Sequence, residues 1–203
     1  MVNERVKIRD KHRVTKKVIK VLMIIFAIVL ILLIVFAAGF LIKKPKIEVY
    51  LENPLARIVL KYTDEAGITD KTSVIEQGII EFNEDYINYI LVALGVGYLH
   101  KSPLFQNPLI EFDLAGEVWN SEIIKGMPDS KKGQMEDEDL RISISKEEAV
   151  EALLASNIEE FMKQSVDNGN TNIEMVAGKT ELFSKGYLEM YKELTGEEIK
   201  VDE

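Results

Sequence analysis

Histidine, the residue most often used for acid–base catalysis at neutral pH, occurs only twice in this chain, at His12 and His100. Two histidines are too few to make a histidine-based catalytic or zinc site a reasonable expectation. We expect His100 to face solvent at a helix end. Cysteine is absent, which excludes disulfides, thiolate catalysis and cysteine-bound metals. The residue types thus predict no catalytic residue and no enzyme activity.

Two short motifs contain the residue types of a binding site but not its spacing. Gly178-Lys179-Thr180 ends like a phosphate-binding P-loop, yet Ile173 stands where the first glycine is needed, so we interpret it as a turn and helix cap. The four consecutive acids at residues 136–139 could attract calcium, but a calcium loop alternates its ligands, and we expect a solvated loop. We predict no cofactor and no metal.

Methionine and aromatic side chains could line an apolar cavity. Thioethers are flexible and suit a cavity that adapts to its ligand. The candidate lining residues are Trp119, Phe161, Met162, Met175, Phe183, Tyr187 and Met190. An ordinary hydrophobic core is the more common role for such residues, and the sequence leaves both interpretations open.

The elements that would carry these residues begin with helices. Asn53 and Pro54 predict the start of a helix that runs to about Ala66. Asn83 is a helix cap followed by two acids, which predicts a second helix from Glu84 to about His100.

A period-two pattern then replaces the helical one. The alternating apolar residues from Ile110 to Leu114, the turn at Ala115-Gly116-Glu117 and the returning segment from Val118 to Ile124 predict a hairpin. The remaining predictions are a loop at Met127–Asp139, a strand at Leu140–Ile144, a capping box at Ser145–Glu148, a helix capped by Asn157, a strand at Ile173–Ala177 and one helix at Thr180–Leu194. This order predicts one α+β domain with an antiparallel-dominated sheet covered by helices.

The segment from Ile110 to Tyr191, within about residues 108–196, resembles the sterol carrier protein-2-like family. The matching pieces are the strand IEFDLAGEVWNSEI with Phe112, Gly116 and Trp119, a loop with Gly126 and Gly133, the step DEDLRISIS, the helix KEEAVEALLAS, and FMKQSVDNG followed by NIEMVAG. The longer MPDSKKGQMEDED loop and the short last strand depart from that family. The resemblance implies a curved sheet whose helices cover an apolar tunnel, and a lipid or acyl chain as ligand.

Before this domain, residues 21–42 form 22 consecutive residues without a charge, amide or hydroxyl. A helix of that length crosses a hydrocarbon core of about 30 Å, so we predict a single N-terminal transmembrane helix. A cleaved signal peptide is the alternative, since Ala37-Ala38-Gly39 supplies small residues. The apolar run, however, exceeds the usual h-region and continues past them.

Charge predicts how the chain would be oriented. Residues 1–20 carry eight Lys and Arg, against three lysines at residues 43–46, which predicts a cytoplasmic basic tail and an extracytoplasmic domain at residues 43–203. That domain carries 17 Lys and Arg and 32 Asp and Glu, and so a net charge of about −15. We expect a plasma-membrane protein that contacts the bilayer through residues 21–42 and binds no nucleic acid.

Two functions from different classes are consistent with these sequence features. The first is a membrane-anchored domain that binds an apolar, lipid-like ligand between sheet and helices. The alternative is a non-enzymatic interaction or structural module of the cell envelope, which would display an acidic docking surface to a protein partner. An outward-facing hydrolase has no visible nucleophile–base pair in its favour.

Overall fold

The computed structural model describes residues 51–195 and, among the first fifty residues, Leu30 alone. The predicted basic tail and transmembrane segment therefore lie outside the described residues, apart from that leucine. Among the residues that are described, no helix has both the length and the apolarity needed to cross a bilayer.

The described residues form a mixed α+β domain. Its helices are α1 Ala56–Lys61, α2 Lys71–Ile80, α3 Glu84–Ala93, α4 Lys146–Leu154, α5 Ile158–Asp167, α6 Lys179–Lys185 and α7 Tyr187–Thr195, with a 3-10 turn at Val96–Tyr98. Its strands are β1 Leu109–Leu114, β2 Glu117–Ile124, β3 Met127–Lys132, β4 Leu140–Ser143 and β5 Asn172–Met175. The sheet order is β3-β2-β1-β4-β5. Three of its four pairings are antiparallel, and β1 with β4 is parallel.

The two faces of the sheet differ in polarity because side chains alternate along each strand. Ile110, Phe112, Ile123 and Ile142 are fully buried on the face that packs against the helices, where the core lies. The other face carries polar side chains, and Arg141 in β4 pairs there with Glu111 and Glu174 on the two neighbouring strands.

Several local predictions are confirmed. Asn83, Ser145 and Asn157 each cap a helix by accepting a backbone hydrogen bond from its first turn. The hairpin turns at Ala115-Gly116, where both residues have positive φ as a tight two-residue turn requires.

Other local predictions are wrong. The segment from Met127 to Lys132 is an edge strand rather than a loop, and an edge position tolerates its proline. Its inward-facing Ser130 forms hydrogen bonds with Ser121 and Asn88, so the hydroxyl of this buried side chain has hydrogen-bond partners. The helix expected from Thr180 to Leu194 is two helices, because Gly186 adopts φ +91° between them. Helix α1 ends at Lys61 rather than at about Ala66, and α3 ends at Ala93 rather than at about His100. Helix α2 was not predicted.

Candidate functional site

A cavity of about 590 Å³ opens at the end of the sheet where the inner strands β1 and β4 begin. It is bounded by the loop at residues 101–108, the segment before β4, the residues after β5 and helix α6. Apolar side chains contribute to its wall, among them Pro103, Leu104, Phe105, Leu109 and Val176. Its volume lies within the range of small-molecule sites in proteins, roughly 300–1,000 Å³.

Asp139, which lines this cavity, joins four parts of the fold. Its Oδ2 accepts hydrogen bonds from the backbone N–H of Leu109, at 2.7 Å, and from the hydroxyl of Tyr187, at 3.0 Å. Its backbone carbonyl accepts from the amides of Val176 and Ala177 after β5. One residue therefore fixes the starts of β1 and β4 against the end of β5 and helix α7.

Lys185 completes this junction from the end of helix α6. Its Nζ lies 2.7 Å from Oδ1 of Asp139 and 2.7 Å from Oε1 of Glu181, one helical turn earlier. The side chains of Lys185 and Asp139 are each only 1% exposed. Burial of a charge is costly unless it is paired and hydrogen-bonded, which is the condition both groups meet here.

Burial also governs the proton affinities of this cluster. It raises the pKa of the Asp139 carboxyl, while the Lys185 ammonium, the Leu109 amide and the Tyr187 hydroxyl act in the opposite sense. Burial, and then the negative charge of Asp139, raise the pKa of Tyr187 well above 10. Tyr187 therefore remains a phenol and acts as a hydrogen-bond donor to the carboxylate.

The loop at residues 101–108 holds its apolar tip outward. Ser102 is 2% exposed and accepts a hydrogen bond from the backbone N–H of Leu104. Near the other end, the amide of Asn107 donates to Glu122 of β2 at 2.6 Å. Leu104 itself is 71% exposed, so the fixed loop presents a large apolar side chain to solvent at the edge of the cavity.

A second, smaller cavity of about 390 Å³ lies beside the first described residues of the domain. Leu51, Pro54, Arg57, Asp85 and Met127 are among its lining residues. The Arg57 side chain is 86% exposed. This cavity has no buried ionic group comparable to the Lys185–Asp139 pair.

The seven residues predicted from sequence to line a cavity are placed in three environments. Trp119, Met162, Tyr187 and Met190 are buried in the core, Phe161 is half-buried against it, and Met175 and Phe183 are exposed. None of the seven lines either cavity described above. Tyr187 alone reaches the larger cavity's wall indirectly, through its bond to Asp139. The binding role of these residues stays a prediction.

Trp119 takes part in a separate polar cluster at the start of β2. Its Nε1 donates to Glu117 at 3.0 Å, and Lys132 and Lys146 approach the same carboxylate at 2.9 and 3.1 Å. The hydrogen bond from Lys132, followed by the contacts of Lys146 and Trp119, lowers the pKa of Glu117 to about 2. This cluster fastens β2, β3 and α4 to one another.

Asp139 and Lys185 were missed in the sequence. The acids at residues 136–139 suggested a solvated loop, but Glu138 is 9% exposed and Asp139 is fully buried. The only local signals were the position of Asp139 directly before an apolar strand and the four-residue spacing of Glu181 and Lys185. His100, expected to face solvent, is half-buried with its Nδ1 3.1 Å from the Tyr98 carbonyl.

Within residues 51–195, no group of three or more histidine, aspartate or glutamate side chains is placed so that it could hold a metal ion. In the larger cavity, three of the four lining carboxylates pair with lysine or arginine: Asp139 and Glu181 with Lys185, and Glu138 with Arg141.

Comparisons with known proteins give limited information. No protein-family model and no curated protein matches this sequence. Among solved structures, the chain is similar to one described as UbiJ-SCP2 ubiquinone synthesis protein, at 6% identity and a TM-score of 0.30, over 61% of this chain and 93% of that chain. It is also similar to the stereoselective inverting sec-alkylsulfatase Pisa1 from Pseudomonas sp., at 8% identity and a TM-score of 0.25, over 60% of this chain but only 16% of that chain.

The first of these neighbours carries the SCP2 name, which is also the family that the sequence between Ile110 and Tyr191 resembles. TM-scores this low carry no argument about function.

Proposed function

We propose that this domain binds an apolar, lipid-like ligand in the 590 Å³ cavity at the start of β1 and β4. The observation that carries the proposal is an apolar rim beside a wall that contains a buried ion pair. Leu104 and Val176 are 71% and 45% exposed at the rim, and the Lys185–Asp139 pair is buried in the wall. A ligand that covers Leu104 and Val176 would remove apolar surface from water, and each Å² of buried apolar surface favours binding by about 25 cal/mol.

The same geometry supports binding rather than catalysis. Both oxygens of Asp139 already accept hydrogen bonds from within the domain, and the ammonium of Lys185 is held by two carboxylates. A general base or nucleophile must be reachable by its substrate, and the side chains of Asp139 and Lys185 are each only 1% exposed. We therefore propose a non-enzymatic carrier or holding role.

Membrane attachment is a further part of the proposal. The apolar run at residues 21–42 supports a single span, and the excess of bases before it supports a cytoplasmic N-terminus and an extracytoplasmic domain. Since the chain contains no cysteine, one cysteine introduced in the tail or in the domain would report its side of the membrane through reaction with an impermeant maleimide. Labelling of both positions from the same side would refute this orientation.

The ligand is tested by photo-crosslinking to the full chain in phosphatidylcholine nanodiscs. A lipid probe with a diazirine in its acyl tail should crosslink within residues 101–109, as mapped by peptide mass spectrometry. Leu104→Gln should reduce that crosslinking severalfold, because it removes exposed apolar surface at the rim. Leu60→Gln is the matched control, since Leu60 is 78% exposed on α1 and lines neither cavity.

Absence of crosslinks within residues 101–109 would refute the ligand proposal. So would an equal loss of crosslinking in both variants. Either result would favour the alternative, in which the acidic surface of the domain docks a protein partner.

A further inference from the structure

The charges around the larger cavity restrict the head group that a ligand can carry, an inference that rests on the proposed function. The lining includes four carboxylates, from Asp137, Glu138, Asp139 and Glu181, and two ammonium groups, from Lys101 and Lys185. The lining residues thus carry a formal net charge of −2. A cavity with this balance attracts cations and repels anions.

Lys185 does not act as a receptor for an anionic head group. Its Nζ contacts Asp139 and Glu181 at 2.7 Å each, and its side chain is 1% exposed. A ligand carboxylate near Lys185 would therefore be repelled by the carboxylates of Asp139 and Glu181, which already pair with the Lys185 ammonium. Displacing either of them would leave a negative group without its partner, at an unfavourable desolvation cost.

Arg141 does not neutralise the acidic wall either. It pairs with Glu138, but it also pairs with Glu111 and Glu174 on the open face of the sheet. One guanidinium shared among three carboxylates leaves a net negative group behind the cavity. Arg141 and its partners therefore strengthen the negative field at the lining rather than cancel it.

We infer that the cavity prefers amphiphiles with a positively charged or neutral head group to long-chain carboxylates, because the solvent-accessible lining carboxylates of Asp137 and Glu181 outnumber the one exposed lining ammonium, that of Lys101. The apolar chain would lie on Leu104 and Val176 at the rim. The head group would lie toward Asp137, which is exposed, and Glu181, whose side chain is 29% exposed. These are the two lining carboxylates that a bound head group can reach from solvent.

The experiment compares two photoprobes with the same diazirine-bearing chain, one ending in trimethylammonium and the other in carboxylate. Each is added to the full chain in phosphatidylcholine nanodiscs, and the ratio of ammonium to carboxylate crosslinking within residues 101–109 is measured. Because both probes enter the same bilayer, comparing this ratio between variants cancels their different partitioning. The informative variant is Glu181→Gln, which keeps a hydrogen-bond acceptor for Lys185.

Glu181→Gln should lower the ratio at least about fivefold, because a charge close to the head group is removed from a partly shielded site. Glu76→Gln on the exposed surface of α2 makes the same change in net charge and should leave the ratio unchanged. An unchanged ratio in Glu181→Gln, or an equal fall in both variants, would overturn the head-group inference while the cavity remains a binding site. Failure of both probes to label residues 101–109 would instead refute the proposed function.

Discussion

Loss of one partner from the buried Lys185–Asp139 ion pair should destabilise the domain strongly. In Lys185→Met, the apolar stem is retained but the ammonium is lost, so the buried carboxylate of Asp139 keeps only its Leu109 and Tyr187 donors. Removing one partner of a buried ion pair typically costs about 3–5 kcal/mol. With about 2–4 °C of Tm per kcal/mol for a domain of this size, we expect a fall in Tm of about 10 °C.

Urea and thermal unfolding of the full chain in nanodiscs would measure this effect. Trp119 is the only tryptophan of the chain and lies in the sheet, so its fluorescence reports the unfolding of this domain. Lys179→Met is the matched control, because Lys179 is exposed at the start of the same helix, and it should change the free energy of unfolding by less than about 0.5 kcal/mol.

A double variant separates the ion pair from general damage to packing. Adding Asp139→Asn to Lys185→Met removes the unpaired charge. The double variant should therefore lose about 1–3 kcal/mol less free energy of unfolding than the two single variants lose in sum. Strict additivity would show that the two charges do not interact as described. A loss below about 1 kcal/mol for Lys185→Met alone would refute the reasoning, because a buried, unpaired carboxylate cannot be that inexpensive.

Three further predictions use the same fluorescence assay. Gly186→Ala should destabilise the domain strongly, because φ is +91° there and a Cβ would lie 2.5 Å from the Tyr98 carbonyl oxygen; Gly178→Ala, where a Cβ meets nothing within 4 Å, should be nearly neutral. In the folded domain the pKa of Glu117 is about 2, below its ordinary 4.5. The stabilisation of the folded state by its ionised carboxylate is therefore complete above about pH 5 and is lost as the pH falls toward 2. Glu117→Gln should therefore cost about 1 kcal/mol at pH 7, after allowance for solvent screening, and much less at pH 2; an equal cost at both would contradict the pKa. Ser145→Ala removes the cap of α4 and should cost about 1 kcal/mol, which an unchanged urea midpoint would disprove.

Local signals in the sequence predicted much of the secondary structure. Helix caps act within a few residues, so Asn83, Ser145 and Asn157 could be recognised from type and spacing alone. The hairpin at Ala115-Gly116 is equally local, because alternation and the turn residues specify it together. The α+β class follows from the order of these elements.

Non-local contacts explain why the strand β3 was missed. β3 is polar and contains Pro128, and it becomes a strand only because β2 offers a free edge and Asn88 satisfies its buried Ser130. At Gly186 the glycine is itself a local signal for a helix end, but the apolar pattern from Leu182 to Leu194 continues across it and favoured a single helix. β3 has no such local pattern.

The small number of candidate catalytic residues, the acidic charge of the domain and the apolar run at residues 21–42 follow from the sequence alone, because they depend only on which residues are present and in what order. The place where an apolar rim and a buried ion pair meet depends on how the elements pack. Asp139 and Lys185 are 46 residues apart, and a charge becomes buried and paired only when β4 and α6 pack together. Pairing over such a distance depends on the whole fold. For the methionine and aromatic residues the sequence left core and cavity open, and the structure places four of the seven in the core and its larger cavity at other side chains.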